Sequence, residues 1–216
     1  MKTVPDHHLP KSELRAALRN RRAALDDLHR NVLDTAINSH LVRHAREGGF
    51  NVIAAFLAFD GEPDLRQGLA ELERSGATLV LPVVHETPGR NTMVFRRWSA
   101  DAPLQPNRYG ILEPLPGPET PLAQIELILI PMVGWDRDGN RLGMGASYYD
   151  RALQPLSDSE SPRRVGVAYA AQEIERVPAD PWDVPLHAIL NEHGWFDCPA
   201  GSRAAHRPAR KRNRET

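Results

Sequence analysis

A short segment of the chain, Asp138 to Arg151 (DGNRLGMGASYYDR), combines a turn, an arginine, two glycines, two tyrosines and an aspartate. Gly143 and Gly145 have no Cβ, so the backbone N–H groups beside them can approach a ligand closely. If a helix begins near Ser147, its free N–H groups point to the same place, and helix starts of this kind bind anions. The segment therefore predicts an anion site, and phosphate is the obvious anion.

Charged residues in this segment extend the prediction to a metal. Asp150 could hold Mg²⁺, which takes one or two carboxylates together with phosphate oxygens and water; a surface salt bridge to Arg151 is the alternative. Arg141 could clamp a phosphate or be exposed. The pattern is neither a dinucleotide fingerprint nor a Walker loop, because Tyr148 stands where a third glycine would fall and no Gly-Lys-Ser/Thr follows. From the glycines alone, a purely structural turn stays open.

Residues elsewhere add little chemistry by themselves. Lys11 and Arg15 are four residues apart, so a helix would place both on one face, as ligands or as solvent-exposed charges. His40 and His44 have the same spacing but lack the glutamate of a zinc-protease helix, which favours a solvated helix face. The single cysteine, Cys198, forms no triad pattern with the histidines.

Composition limits the class of protein. The 216 residues are 41% hydrophobic and 25% charged with a net charge of −1, which predicts a compact soluble protein and gives no overall argument for nucleic acid or membrane. No signal peptide or membrane-spanning run is recognisable, and one cysteine suits a reducing compartment, so we expect a cytoplasmic protein.

Residues 1–200 are predicted to form a single domain. Residues 201–216 are predicted to be a basic, disordered tail, for which weak RNA or phosphate contact is the alternative.

Hydrophobic spacing predicts the elements that position these residues. Residues 11–46 have helical spacing, and Asp26 and Asp27 could cap a second helix, so an amphipathic helical pair is predicted. Residues 51–59 and 78–84 have strand character. A helical segment, residues 65–75, lies between these two runs, and this order is typical of a βαβ crossover.

The rest of the chain continues the α/β pattern. Residues 93–98 alternate like an antiparallel or edge strand, and residues 102–121 form a Pro-rich, irregular connection. Leu127–Pro131 (LILIP) predicts a strand buried on both faces, residues 148–156 a helix, and residues 164–170 another strand. We therefore predict an α/β three-layer sandwich with a mainly parallel central sheet and an N-terminal helical pair. Ligands of such sheets bind beyond the carboxyl ends of the strands.

The string RLGMGASYYDRAL, preceded by LILIPMVGWDRDGN, closely resembles the signature of the 5-formyltetrahydrofolate cyclo-ligase family, also called methenyltetrahydrofolate synthetase. That pattern runs approximately P-x-x-aromatic-D-x-x-G-x-R-L-G-x-G-x-G-Y-Y-D. KSELR near the N-terminus resembles the family's K-x-x-L-R. LAFDGEPD resembles its segment with a substrate-binding carboxylate, and PWDVPLHAILNE its closing segment, in which an Asp precedes a final strand. The resemblance covers roughly residues 11–196 and not the basic tail.

Two departures from the family's pattern affect the loop and the end of the sheet. Ala146 and Ser147 replace the usual residue-Gly pair, and Asn191 stands where Thr is common. If the backbone at Ser147 has a positive φ, the serine costs stability or alters the loop.

Carried over residue by residue, the resemblance implies three sets of site residues. The ATP site would comprise Lys11, Ser12, Glu13, Leu14, Arg15, Arg141, Leu142, Gly143, Met144, Gly145, Ala146, Ser147, Tyr148 and Tyr149. The folate would contact Leu57, Glu62, Met144, Gly145, Ala146, Ser147 and Tyr148, and Glu62 would accept hydrogen bonds from its amino-pterin edge. Asp150 and Asp183 would bind Mg²⁺, and Arg141 and Tyr148 would be catalytic.

The implied activity is ATP- and Mg²⁺-dependent cyclisation of 5-formyltetrahydrofolate to 5,10-methenyltetrahydrofolate, with ADP and phosphate released by way of an iminophosphate. The expected enzyme is a monomer that requires neither nucleic acid nor membrane. Two alternatives remain. One is a related ATP-dependent enzyme for another formylated or carboxylated small molecule, and the other is a non-catalytic folate- or RNA-binding protein.

Overall fold

The computed structural model of the protein describes residues 9–87, 90–156 and 159–199. The helices are α1 (Lys11–Ala23), α2 (Asp27–Glu47), α3 (Arg66–Arg74) and α4 (Tyr148–Leu153). The strands are β1 (Val52–Ala54), β2 (Thr78–Thr87), β3 (Arg90–Trp98), β4 (Leu104–Pro106), β5 (Leu112–Pro114), β6 (Glu119–Thr120), β7 (Leu127–Pro131), β8 (Gly134–Trp135), β9 (Arg141–Leu142), β10 (Arg163–Val167), β11 (Ala188–Asn191) and β12 (Gly194–Asp197). The basic tail, residues 201–216, for which disorder or RNA contact was predicted, lies outside the described residues.

The central sheet has eight strands in the order β12-β11-β10-β7-β1-β2-β3-β6. The inner strands from β11 to β2 run parallel, and antiparallel strands flank them at both edges. β7 lies near the middle, and its first four residues are buried, as expected for a continuous apolar run covered on both faces. The predicted mainly parallel sheet and the β1–α3–β2 crossover are confirmed.

Helices cover both faces of this sheet and give the predicted three layers. On one face Leu41 of α2 and Leu69 of α3 share a core with Leu129 of β7. On the other face Leu153 of α4 shares a core with Ile128 of β7. Successive side chains of a strand point to opposite faces, so neighbouring residues of β7 contribute to two different cores.

The N-terminal helical pair is also confirmed. Leu14 and Leu18 of α1 share a third apolar cluster with Val133, which follows β7, so α1 lies at the end of the sheet where β7 ends. The side chain of Asp26 accepts a hydrogen bond from the N–H of His29 at 2.9 Å, and this N-cap starts α2 at the predicted place.

The segment after β1 differs from its prediction. Residues 51–59 have strand composition, but only Val52–Ala54 pair as β1. Asp60 and Gly61 adopt positive φ angles of 53° and 79°, which turn the chain back and away from the sheet. An apolar run alone does not show where strand pairing stops, because the turn depends on residues beyond it.

The Pro-rich connection, residues 102–121, is more regular than predicted. β4 and β5 form an antiparallel hairpin within it, and β6 pairs with β3. Prolines end both hairpin strands, at Pro106 and Pro114, and proline is compatible with strand ends and edges. The prolines therefore mark the hairpin's limits rather than exclude it.

Smaller differences concern element ends. The predicted helix 148–156 stops being α-helical after Leu153, and the predicted strand 164–170 is Arg163–Val167. The closing segment supplies two strands, since β12 returns antiparallel to β11. Within the ranges that the structure describes, no helix is long and apolar enough to cross a bilayer.

A buried asparagine connects α2 to the segment before α3. Asn38 is 4% exposed, and its Nδ2 donates to the carbonyl oxygens of Asp34 and Asp64, each at 2.7 Å. Its Oδ1 accepts from the N–H of Gly68 at 2.7 Å. These contacts fix the end of the segment that leaves β1, and with it the residues that this segment brings to the site.

Asn38→Ala should lower the free energy of unfolding by about 2–3 kcal/mol, because it leaves buried backbone groups of Asp64 and Gly68 without partners. Urea unfolding followed by circular dichroism measures the change. Ser39→Ala is the matched control, since the exposed Ser39 bonds only within α2, to the carbonyl of Thr35, and should change stability by less than about 0.5 kcal/mol. Equal losses in the two variants would contradict the role assigned to Asn38.

Candidate active site

A cavity of about 630 Å³ opens beyond the carboxyl ends of β1, β2 and β7. Phe56 after β1, Val84 in the second half of β2 and Pro131 at the end of β7 all line it. α1 and the loop after β9 contribute the opposite wall. This is the edge at which parallel sheets bind ligands.

Most of the predicted site residues line this cavity. They come from α1, the segment after β1, β9, α4 and the loop between these two, and the segment before β11. The residues are Lys11, Arg15, Leu57, Glu62, Arg141, Leu142, Gly143, Met144, Gly145, Ala146, Ser147, Tyr148, Tyr149, Asp150 and Asp183. Ser12 and Glu13 are exposed on α1, and Leu14 is buried in the cluster beneath it. These three do not line the cavity, and their part in ATP binding stays a prediction.

A buried carboxylate organises the turn between β8 and β9. Asp136 is 1% exposed and accepts hydrogen bonds from the N–H groups of Asp138, Asn140 and Val177 at 2.9 to 3.1 Å. Gly139 in this turn has a φ of 85°. The turn brings β9 back along β8, so the next loop starts at the cavity. This role of Asp136 was not predicted from the sequence, although the Asp-x-x-Gly spacing is its signal.

The glycine loop, residues 143–147, uses backbone conformations that disfavour side chains. Gly145 has a φ of 103°, and Ser147 has φ 50° and ψ 30°, in the left-handed region. The Ser147 side chain makes no capping hydrogen bond to α4 that could compensate. Arg15 holds the start of the loop, since its Nε donates to the carbonyl of Gly143 at 2.8 Å. Ser147 therefore has the positive φ at which the sequence predicts a loss of stability or an altered loop.

Arg141 connects three segments of the site. Its guanidinium donates through Nη2 to Oδ1 of Asp150 in α4 and through Nη1 to the carbonyl of Val184 before β11. The N–H of Val184 also donates to Oδ1 of Asp150, at 3.1 Å. Only 5% of the Arg141 side chain is exposed, so this cation is held in place rather than free in solvent.

Lys11 lies between two carboxylates of the segment before β11. Its Nζ is 2.6 Å from Oδ2 of Asp180 and 3.4 Å from Oδ2 of Asp183. Burial alone would lower the pKa of Lys11, but the hydrogen bond to Asp180 and the charge of Asp183 outweigh burial and raise the pKa above its ordinary value. Lys11 therefore stays charged at the cavity. Asp180 was not identified from the sequence.

The two predicted metal ligands fit Mg²⁺ in their chemistry. In the described parts of the chain, no group of three or more metal-ligating side chains could hold an ion by itself. Asp150 and Asp183 each use one carboxylate oxygen for protein contacts, which leaves Oδ2 of Asp150 and Oδ1 of Asp183 without a hydrogen-bond partner among these residues. Mg²⁺ bound with phosphate needs only one or two carboxylates and water. The donor set therefore suits an ion that arrives with a phosphate.

The opposite side of the cavity carries a partly buried acid, Glu62. Oε2 of Glu62 accepts a hydrogen bond from the N–H of Phe59 at 3.2 Å. Burial raises the pKa of Glu62 to about 7, although the charge of Arg22 and the Phe59 N–H oppose the shift. Burial, and secondly the charge of Glu62, raises the pKa of Tyr149 above its ordinary value. Glu62 can therefore act as an acceptor that responds to pH near neutrality.

Apolar and aromatic side chains that the sequence analysis did not assign complete this wall. They come from the segment after β1, the β2–β3 hairpin, the β4–β5 hairpin and the segment before β11. They are Phe56, Phe59, Leu81, Met93, Tyr109, Ile111, Leu112 and Trp182. Residues so far apart in sequence give no local pattern. Trp182 is 62% exposed, which is unusual for a tryptophan, and it lies next to Asp183.

Comparison with known proteins agrees with this geometry. The model of the 5-formyltetrahydrofolate cyclo-ligase family matches residues 8–192. The chain is 32% identical over 182 residues to 5-formyltetrahydrofolate cyclo-ligase of Haemophilus influenzae, covering 83% of this chain and 96% of the relative. It is 31% identical over 175 residues to the enzyme of that name from Escherichia coli K12, covering 80% and 95%.

Two solved structures share the fold. One is the NMR structure of Aquifex aeolicus 5,10-methenyltetrahydrofolate synthetase, with a TM-score of 0.75 and 28% identity over 96% of this chain and all of that one. The other is a 5,10-methenyltetrahydrofolate synthetase from Mycoplasma pneumoniae, with a TM-score of 0.67 and 27% identity over 85% of this chain and 99% of that one.

Ser147→Gly should raise the free energy of unfolding by about 1 kcal/mol, because glycine adopts the left-handed conformation without the steric cost of a Cβ. Ala146→Gly is the matched control. Its neighbouring position has no positive φ, so the variant should be unchanged or slightly less stable. Thermal unfolding of both variants measures the difference. If Ser147→Gly were no more stable than Ala146→Gly, the proposed backbone strain at Ser147 would be contradicted.

Glu62→Gln should weaken the dependence of stability on pH. Since the pKa of Glu62 is about 7 when folded and 4.5 as the ordinary value, the folded chain keeps a proton that the unfolded chain releases. The contribution of Glu62 to the free energy of unfolding therefore falls as the pH rises from 4.5 to 7. Glutamine stays neutral over this range and avoids that loss. Between about pH 5 and about pH 8 the variant should lose roughly 2–3 kcal/mol less than the wild type.

Denaturant unfolding at both pH values tests this, with Glu47→Gln on the exposed end of α2 as the control. Parallel pH curves for wild type and Glu62→Gln would contradict the assignment.

Proposed function

The chain belongs to the 5-formyltetrahydrofolate cyclo-ligase family, and on this premise we propose that it converts 5-formyltetrahydrofolate to 5,10-methenyltetrahydrofolate at the expense of ATP. One observation carries the proposal. A single cavity is lined on one side by a glycine loop with Lys11, Arg15 and Arg141, and on the other by Glu62 and an aromatic wall. The first side suits phosphates, and the second suits a flat heterocycle with donor groups at its edge.

The proposed reaction starts with transfer of the γ-phosphoryl group of ATP to the formyl oxygen. That oxygen is amide-like and a poor leaving group, whereas in the resulting iminophosphate it can leave as phosphate. N10 then attacks the formyl carbon, releases its proton, and the carbon–oxygen bond breaks. The products are the methenyl compound, ADP and a phosphate that contains the original formyl oxygen.

The cations of the cavity have the role of placing phosphates and offsetting their charge. Phosphoryl transfer needs positioning and charge neutralisation rather than a protein nucleophile. Arg141 is the best suited, because its buried contacts with Asp150 and Val184 fix its orientation before a ligand arrives. Lys11 and Arg15 lie on the same face of α1 and add charge from the other side of the glycine loop.

Mg²⁺ would be held by Asp150 and Asp183, whose remaining carboxylate oxygens fit it. When bound, it would supply positive charge that offsets the negative charge of the phosphates. The contribution of the chain is to orient both carboxylates. Arg141 and the N–H of Val184 hold Asp150, while Lys11 and the N–H of Asp180 hold Asp183.

Glu62 would recognise the pterin. Its carboxylate is directed to the cavity and, when ionised, accepts hydrogen bonds from the ring amino and N–H groups. Leu57 and Tyr148 offer apolar and aromatic surface to the ring, and Met144 of the glycine loop also lines the cavity. We assign Tyr148 to the reacting centre as a residue that orients the folate beside the phosphate loop.

The other expectations drawn from the sequence stay predictions: a monomer, a cytoplasmic location, one domain over residues 1–200 and no requirement for nucleic acid. Neither alternative function gains a specific observation. An enzyme for a different formylated molecule would need another partner for Glu62, and a non-catalytic binding protein would need no buried Arg141–Asp150 pair beside the glycine loop.

The absorbance of methenyltetrahydrofolate in the near ultraviolet tests the proposal. Incubation with 5-formyltetrahydrofolate should raise this absorbance only when both ATP and Mg²⁺ are present. Asp150→Asn should lower kcat/KM by roughly 100-fold, because it removes a carboxylate proposed to hold Mg²⁺ and weakens the hold on Arg141. The variant should also need more Mg²⁺ for half-maximal rate.

Asp197→Asn is the matched control, since Asp197 pairs with Arg163 on the surface at 2.5 Å and is 71% exposed, away from the cavity. This variant should keep the wild-type rate. Wild-type protein that is folded but produces no methenyl absorbance would overturn the proposed function.

A further inference from the structure

α1 presents a row of basic residues that reaches both halves of the cavity. Lys11, Arg15, Arg19 and Arg22 are three or four residues apart, which places them along one face of the helix. The first two contact the segment before β11 and the glycine loop. The last two both contact Oδ2 of Asp60, each at 2.8 Å, in the segment that carries Glu62.

Arg22 differs from the other members of this row in its burial. Only 1% of its side chain is exposed, compared with 47% for Arg19. Its Nη2 contacts Asp60, but its Nη1 is buried and has no hydrogen-bond partner among the described residues. A buried cation with an unused donor is costly unless its charge is used nearby.

The carboxylate of Glu62 is the group near Arg22 that this charge affects. Apart from burial, the charge of Arg22 is the largest influence on the ionisation of Glu62, and it favours the anion. Arg22 is not itself among the residues that line the cavity, so it acts on the ligand through Glu62.

Arg22 also fixes the backbone that carries Glu62. Asp60 and Gly61 are consecutive residues with positive φ, and this tight turn lets the N–H of Glu62 donate to the carbonyl of Phe59 at 3.1 Å. The N–H of Phe59 in turn donates to Oε2 of Glu62. Arg22 holds the Asp60 side chain, and so holds the turn that directs Glu62 into the cavity.

We propose that Arg22 is a positioning residue for the pterin site, which holds Glu62 in place through Asp60 and keeps its carboxylate available as an anionic acceptor. This inference rests on the proposed function, because Glu62 is taken to bind the amino-pterin edge. It adds a residue of α1 to the folate side, whereas Lys11 and Arg15 serve the phosphate side. One helix thereby sets the position of both substrates.

The groups around Glu62 predict opposite effects for two substitutions. Arg22 from α1 favours the anion, Asp60 from the same segment opposes it, and Tyr149 from α4 interacts with the Glu62 charge. Arg30 of α2 stands against the backbone of Gly61, where an added Cβ would lie 3.2 Å from its Nη1. Removal of the Arg22 charge should therefore raise the pKa of Glu62, and removal of the Asp60 charge should lower it.

The test is the dissociation constant of 5-formyltetrahydrofolate, measured by calorimetry without ATP from about pH 6 to about pH 9 for the full-length protein. Wild-type binding should weaken below about pH 7, as Glu62 takes up a proton. In Arg22→Met this weakening should begin about one pH unit higher, the size of effect that a neighbouring opposite charge produces. Binding near neutrality should then be several-fold weaker.

Arg19→Met is the matched control, because Arg19 contacts the same oxygen of Asp60 from the same helix but is exposed. The charge of Arg19 is not among the influences on Glu62, so its loss can change affinity through Asp60 but should leave the pH at which binding weakens at the wild-type value. Titration of the substrate itself is common to all variants. Arg22→Lys should restore most of the wild-type profile. Asp60→Asn, which keeps a residue type that tolerates a positive φ, should move the profile to lower pH.

Identical pH profiles for wild type, Arg22→Met and Asp60→Asn would overturn the inference, even if the variants were less stable. If Arg22→Met does not fold, the pH profiles of Arg22→Lys and Asp60→Asn are compared with that of the wild type instead. An Asp60→Asn profile that coincides with the wild-type profile would then contradict the proposal. The proposed function fails separately, when the wild type neither binds nor converts 5-formyltetrahydrofolate.

Discussion

Arg141 and Asp150 form an ion pair that is largely removed from solvent, with 5% and 18% of their side chains exposed. Two such charges are tolerated in a protein interior only when each has further partners. Val184 supplies them, since its carbonyl accepts from Arg141 and its N–H donates to Asp150. The pair thus joins β9, α4 and the segment before β11. Without it, β9, α4 and the segment before β11, which carry the glycine loop and the proposed metal ligands, would lose this direct connection.

The same contacts describe a site whose charges are balanced before a ligand arrives. Lys11 faces Asp180 and Asp183, and Arg141 faces Asp150. In our account, the phosphate oxygens of ATP would contact these cations, and Asp150 and Asp183 would hold the Mg²⁺ that accompanies it. Each cation would then contact a phosphate instead of, or in addition to, its carboxylate. Each carboxylate would likewise contact the metal instead of, or in addition to, its cation. Neither the cations nor the carboxylates are left unpaired in a partly buried cavity, which would be costly.

Much of this architecture follows from local sequence patterns. The helical pair, the βαβ unit, the buried β7 and the loop before α4 are encoded by spacing and turn residues within short windows. The family resemblance then implied most of the cavity residues, including Asp183, which no local pattern connects to Asp150. The roles of Asp180 and Arg22 were missed, because each depends on a partner more than thirty residues away. The aromatic wall was missed for the same reason. Asp136 differs, since its contacts within the turn are local and its Asp-x-x-Gly spacing could have been recognised.

The path of the segment after β1 shows why strand length is hard to predict. NVIAAFLAF has a uniform apolar composition, but only its start finds pairing partners on both sides. Beyond Ala54 the chain is directed by Asp60 and Gly61, whose turn is stabilised by arginines on α1. The departure from the sheet is also what brings Leu57 and Glu62 to the cavity. A local preference for strand is overridden by a tertiary contact that serves the site.

The central claim is that ATP activates the formyl oxygen inside this cavity, and the fate of that oxygen tests it most directly. 5-Formyltetrahydrofolate carrying heavy oxygen in the formyl group would be converted with unlabelled ATP and Mg²⁺, and the phosphate analysed by mass spectrometry. Our account predicts one heavy oxygen in each phosphate released and none in water. Unlabelled phosphate, with the heavy oxygen recovered in water, would mean that ATP is hydrolysed without reaching the formyl group and would contradict the account.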